Sequence, residues 1–165
     1  MPEQIDDIDA QLLNLLQANG RMKRSDLSEE VGLSVPAVSE RLRKLEDRGV
    51  IVGYAAIVDA KRVRWDITTF IRVRVDGSEH YDDFLEAVIA MDEVLEVHSI
   101  TGEGSHILKV RTENTTGLGH LLSRLQAQPG VRGTSSSVVL STFKESRRIP
   151  VHPVELFDPN EEATT

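Results

Sequence analysis

Residues 33 to 48 read LSVPAVSERLRKLEDR, and the reading of this stretch decides the N-terminal part of the chain. Ser34 offers a side-chain acceptor of the kind that caps a helix, and Pro36 is tolerated in a first turn, where its missing N–H has no partner to lose. Val38, Leu42 and Leu45 recur at i, i+4 and i+7, so they share one apolar stripe, and Gly49 marks where it ends. Pro36, Ala37, Glu40, Arg43, Lys44 and Asp47 fall on or near the opposite side. The spacing predicts a helix from Ser34 to about Arg48 that opens on small residues and carries Arg41, Arg43, Lys44 and Arg48 further along.

Two accounts compete for the polar face. On an isolated helix it is a solvated surface held by pairs such as Glu40 with Lys44. The preceding residues favour a more specific use. Ile5, Ile8, Leu12, Leu15 and Leu16 recur at helical spacing to about Ala18, with Asn19-Gly20 as a stop. Leu27 and Val31 mark a short helix from Arg24 to Val31, ended by Gly32. Two helices joined by Gly-Leu-Ser, the second opening on small residues, make a helix-turn-helix. Its second helix brings its first turns to base edges while later cations reach phosphates. Ser34, Pro36, Ala37, Glu40, Arg41 and Lys44 are therefore candidate DNA contacts, Glu40 being able to accept from cytosine or orient an arginine. Arg21, Lys23 and Arg24 join them as phosphate candidates. They stand at the start of a helix, where cations oppose the helix dipole and a serine or aspartate is the stabilising choice.

Composition bounds this reading. A chain of 165 residues with 39% apolar content is long enough for one ordinary domain or two small ones. Its formal net charge of -8 opposes nucleic-acid binding as a whole-molecule field, so DNA binding requires a local basic surface. The absence of cysteine excludes disulfides, thiolate metal sites and cysteine nucleophiles. No run approaches the roughly 18 to 20 apolar residues of a membrane span, and MPEQIDDIDA is acidic where a secretion signal is basic. No membrane association and a cytoplasmic location are expected.

Residues 1–50 are expected to form the three-helix domain and residues 51–66 a hinge strand, IVGYAAIVD, followed by the exposed basic linker KRVRWD. Residues 67–149 then read as ITTFIRVRV, a helix at about 79–91, strands in EVLEVHSITG and GSHILKVRT, a helix at about 115–128, and the strand VRGTSSSVVLSTF over 131–143. The order is βαββαβ, a ferredoxin-like arrangement whose helices cover one sheet face and leave the other open for oligomerisation or ligand. Residues 150–165 are expected to be a loosely held acidic tail. The fold class is α+β, a three-helix (winged) helix-turn-helix domain plus a ferredoxin-like domain. The apolar hinge presents unpaired edge groups best satisfied by the same strand of a second chain, which predicts a homodimer.

The stretch DDIDAQLLNLLQANGRMKRSDLSEEVGLSVPAVSERLRKLEDRGVIVGYAAIVD, with TGEGSHILKV and LQAQPGVRGTSSSVVLSTFKES further on, resembles the Lrp/AsnC, or feast/famine, family of transcription regulators over roughly residues 4 to 149. The resemblance implies a recognition helix at Ser34 to Arg48, a hinge strand at Ile51 to Asp59, and an effector-binding and oligomerising domain over 67–143. It also implies dimers on double-stranded DNA, further assembly commonly to octamers, and response to an amino acid. The effector site is expected at the turn Ile100, Thr101, Gly102, Glu103, Gly104, Ser105, His106, extended by Ser135, Ser136 and Ser137. The glycines free that backbone to present N–H groups to a carboxylate. Where the family commonly has G-D-x-D-Y, this chain has G-E-G-S-H. The second carboxylate is replaced by Ser105, which carries no charge for a ligand ammonium. A different small molecule, or no effector, is then the alternative.

Other chemistry finds little footing. His80, His98, His106, His120 and His152 have no metal-ligand spacing, GEGSH lacks a nucleophile elbow, and no G-K-[ST] follows TGEGS. No cofactor and no catalytic residue are expected. A siroheme-decarboxylase-like enzyme of the same two-domain architecture is the enzymatic alternative, but its H-R-R-x-G-[FY] segment has no counterpart here. An oligomeric sensor that has lost DNA binding is the third reading, prompted by the overall acidity.

Overall fold

The computed structural model describes residues 4–156. They divide into two compact units, one formed by the described residues up to Ile57 together with those from Glu145 onward, the other by Val58–Lys144.

The first unit holds β1 (Gln4–Ile5), α1 (Asp7–Ala18), α2 (Arg24–Val31), α3 (Val35–Asp47) and β6 (Val154–Glu155). Helix α1 starts two residues later than its apolar periodicity suggests. Asp6 takes the cap position, its Oδ1 accepting the Asp9 N–H at 2.8 Å, and Ile5 belongs to the short strand before it. Gly32 ends α2 at φ 68°, a left-handed conformation that suits glycine. Leu12, Leu27, Val38 and Leu45 are at most 1% exposed, each burial contributing about 1.5 to 3 kcal/mol. One core therefore fixes all three helices.

Two expectations are corrected here. Residues 51–59 carry no strand, because a strand exists by its ladder and no strand of the described residues pairs with them. Val52 and Ile57 are 95% and 102% exposed. The tail from residue 150 is not loose where it is described. Val151 and Leu156 pack against the helical core, and β6 pairs antiparallel with β1, Ile5 opposite Val154. Apolar side chains among the prolines have a surface to cover, which composition alone does not reveal. The acidic residues Glu161 and Glu162 lie outside the described residues.

The second unit is the ferredoxin-like domain: β2 (Ile67–Val75), α4 (Tyr81–Ile89), β3 (Val94–Ser99), β4 (His106–Thr112), α5 (Thr115–Gln126) and β5 (Val131–Val138). The antiparallel sheet runs β3-β4-β2-β5. Alternation along β2 sends Ile71, Val73 and Val75 to Phe84 and Val88 of α4 and to Leu118, Leu121 and Leu125 of α5. Phe70, Arg72 and Arg74 face the other way and are exposed. Strand β5 ends five residues before the predicted limit: Val138 pairs with Thr69 and Val139 donates to Thr68, where β2 is almost at its start.

Candidate nucleic-acid interface and ligand loop

The turn between α2 and α3 is closed by its own backbone. The Leu33 N–H donates to Ser28 O at 3.1 Å, the Ser28 hydroxyl donates to Leu33 O, and Ser34 Oγ accepts the Ala37 N–H at 3.4 Å. Beyond it Val35 and Pro36 stand exposed and Ala37 half-buried, while Val38, Leu42 and Leu45 hold the opposite side in the core. A groove-inserted helix needs such an open first turn. Val35, 41% exposed, joins the candidate surface; its place between Ser34 and Pro36 was the available signal.

The cations of α3 fall into two groups. Arg43 binds Glu40 at 2.8 Å and Asp47 at 2.5 Å, with Lys44 3.7 Å from Glu40, all more than half exposed. The Arg43 guanidinium, the larger influence, holds the Glu40 carboxyl below the usual carboxylate range. This pairing accounts for cations and acids sharing one face, with Glu40 orienting an arginine. Arg41 does something else. Its Nη1 lies 2.7 Å from Asp6 Oδ2 and 2.8 Å from Asp9 Oδ1, so the guanidinium braces α3 against the first turn of α1. At α2, Arg21, Lys23 and Arg24 are exposed, and Lys23 occupies the cap position without a side-chain cap hydrogen bond. An uncapped helix start with three exposed cations close by in sequence, although Asp26 shares its first turn, can receive a phosphate.

In the second unit the turn before β4 is closed by the Ile100 N–H donating to Ser105 O at 3.0 Å, with Gly102 and Gly104 at φ 98° and 90°. A Cβ on Gly104 would stand 3.1 Å from Val73 O, so this position needs glycine for space as well as conformation. Thr101, Gly102 and Glu103 are exposed. Ser105 is drawn inward: its Oγ accepts the Val75 N–H at 3.0 Å and lies 2.9 Å from His106 Nδ1. His106 is fully buried, its ring edge-on to Tyr81 at 5.0 Å. The structure thus corrects its expected place in the ligand loop. His106 has the same parity on β4 as Leu108 and Val110, which turns it to the core. Ser135 and Ser137 lie opposite Arg72 and Phe70 on the open sheet face, whereas Ser136 lies opposite Ile71 and takes the other face.

Burial pushes the His106 imidazole below its ordinary range. The unfolded chain therefore takes up a proton that the folded one resists. The stabilisation is complete above about pH 6.5 and is lost as pH falls below that value toward the folded pKa, by at most about 1.4 kcal/mol per pH unit. Thermal melts between about pH 7.5 and pH 5 are expected to show this decline in the wild type and a shallower one in His106→Gln. Equal slopes in the two proteins would clear His106 as the cause.

A helix-turn-helix unit and, in the same chain, a ferredoxin-like unit with an open sheet face and a glycine-bounded turn define a class: DNA-binding regulators that carry their own ligand-binding domain. Comparison with known proteins agrees. Residues 5–52 match the winged helix-turn-helix DNA-binding model, and residues 68–149 match the Lrp/AsnC ligand binding domain. The HTH-type transcriptional regulator LrpA of Mycobacterium tuberculosis is 36% identical over 148 residues, covering 90% of this chain and 98% of that protein. A Neisseria meningitidis transcriptional regulator solved in complex with L-methionine superposes with a TM-score of 0.84 at 33% identity, over 88% of this chain and 96% of that one. A feast or famine regulatory protein from M. tuberculosis, complexed with L-methionine, gives 0.83 at 35% over 89% and 99%. The chain belongs to the Lrp/AsnC family and is a DNA-binding transcriptional regulator of that type. These relatives are regulators rather than enzymes.

Proposed function

We propose that the chain acts in the cytoplasm as a homodimer, assembling further toward an octamer, that grips double-stranded DNA with two copies of α3 and answers to a small molecule. The observation that carries the DNA reading is the open first turn of α3 standing in the same unit as the uncapped start of α2 and the exposed Arg21, Lys23 and Arg24. Ser34, Val35, Pro36 and Ala37 approach bases, with Arg43 held in place by Glu40. Arg21, Lys23, Arg24 and Lys44 meet phosphates. Arg41 serves as a brace rather than a reader, which moves it from the specificity residues to the positioning ones.

Phosphate contacts release counterions, so log affinity falls with log salt in proportion to their number. Lys44→Ala is expected to weaken binding to all sequences about equally and to make the salt slope shallower by about one. Fluorescence anisotropy at graded salt measures this, and an unchanged slope removes Lys44 from the phosphate contacts.

For the ligand, the exposed Thr101, Gly102 and Glu103, with Ser135 and Ser137, support a site for an amino acid or related metabolite between subunits. The glycine-rich turn would offer N–H groups to a carboxylate and Glu103 an anion to an ammonium group. The L-methionine held by two solved relatives supports the same ligand class. An effector shifts assembly only by its differential affinity for two quaternary states. A screen of amino acids should therefore find one that changes oligomer size or DNA affinity, and stabilisation without either change would count against regulation.

A further inference from the structure

Residues 150–156 lie beyond both family matches, yet they are built into the DNA-binding unit, and the manner of their attachment is specific. Asn14 and Gln17 stand nearly one turn apart on α1. Asn14 donates from Nδ2 to Val151 O at 2.8 Å and accepts the Val151 N–H at Oδ1, 3.3 Å away. Gln17 donates from Nε2 to Ile149 O at 2.8 Å and accepts the Ile149 N–H at Oε1, 2.9 Å away. Two side-chain amides thus pair with both backbone groups of alternate residues, as a neighbouring β-strand would, and Pro150, with no N–H to offer, falls between them. The Val151 and Leu156 side chains then close over the helical core, and Val154–Glu155 adds a second strand to Gln4–Ile5.

The chain enters this grip from β5, whose Ser135 and Ser137 belong to the proposed ligand site. The DNA-binding unit is therefore joined to the ligand-binding unit twice, through the hinge near Ile57 and through residues 139–148. A second covalent connection removes some of the freedom that a single one leaves, because both segments must span their ends at the same time.

We propose that residues 149–156 form a strap, gripped through its backbone by Asn14 and Gln17, that couples the last strand of the ligand-binding unit to α1 and so sets the half-site spacing a dimer accepts. The proposal rests on the dimeric DNA reading above. It explains why the grip ignores side-chain identity at Ile149, a position 66% exposed, while holding its backbone twice.

The test uses the full chain with Asn14→Ala and Gln17→Ala together. Alanine is the best helix former, so α1 itself is not weakened. Amide exchange at Ile149 and Val151 is expected to accelerate by at least about tenfold in the variant. On operators with graded half-site separation, the wild type is expected to prefer one helical repeat sharply, and the variant to lose that discrimination by about tenfold while keeping its affinity for a single half-site. Because the chain has no cysteine, Ile5→Cys with Val154→Cys can join the paired strands by a disulfide in the variant background. Oxidation should restore the spacing preference and reduction remove it. Unaccelerated exchange overturns the grip. Accelerated exchange with an unchanged spacing profile overturns the coupling while the DNA reading stands, whereas a wild type indifferent to spacing overturns the dimeric reading and the strap with it.

Discussion

Replacing Arg41 by methionine is expected to destabilise the DNA-binding unit by about 2 kcal/mol, on the order of 10 °C in its melting temperature. Methionine keeps the apolar stem and removes only the guanidinium. Asp9, whose side chain is 10% exposed, would then be left as a nearly buried carboxylate without its cation. That penalty dominates, and leaving a charge desolvated is worse than never having made the pair. The magnitude is discounted because Arg41 and Asp6 reach solvent, at 31% and 51% exposure. For Asp6 burial works to raise the carboxyl pKa, but the Asp9 N–H and the Arg41 guanidinium outweigh it and hold the group below the ordinary range. Its stabilisation is present above the ordinary carboxylate value and lost as pH falls through the lowered one, so acid should narrow the gap between wild type and variant. Arg43→Ala is the control: its partners are exposed, so the urea midpoint should hold while DNA affinity falls. Equal midpoints for the Arg41 and Arg43 variants would refute the brace.

The hinge is expected to give the larger effect on function. Val52→Asp combined with Ile57→Asp should yield a monomer at micromolar concentration and lower affinity for a two-half-site operator by at least about a hundredfold, the gain that bivalent attachment supplies. Both side chains are almost fully exposed in the single chain, so the folded units lose no packing. What changes is pairing with a second hinge. Two carboxylates per chain, brought opposite two more, repel where apolar side chains would have packed. Light scattering and anisotropy read the two consequences separately. A dimer that persists in the double variant would place the interface elsewhere, with the open face of β2 and β4 the next surface to alter.

Much of this protein is legible from the chain alone, because local periodicity reports which way a side chain must face. Val38, Leu42 and Leu45 announce α3, the alternation of ITTFIRVRV announces β2, and the βαββαβ order limits the sheet to few arrangements. Ser34 and Gly32 mark the ends of helices because caps need particular atoms or a left-handed backbone. Facts that depend on distant partners were decided only by the tertiary structure. Nothing near Arg41 in sequence says that its guanidinium meets Asp6 and Asp9, and the expectation of a base contact followed from helix position alone. His106 lies beside two glycines in a loop-like run, yet the register of β4 against β2 carries its ring into the core. Asn14 and Gln17 look like ordinary polar positions on α1 until the far end of the chain arrives to use them. Hydrogen bonds and ion pairs between residues remote in sequence form only once the hydrophobic core has brought their elements together, and no local pattern records them.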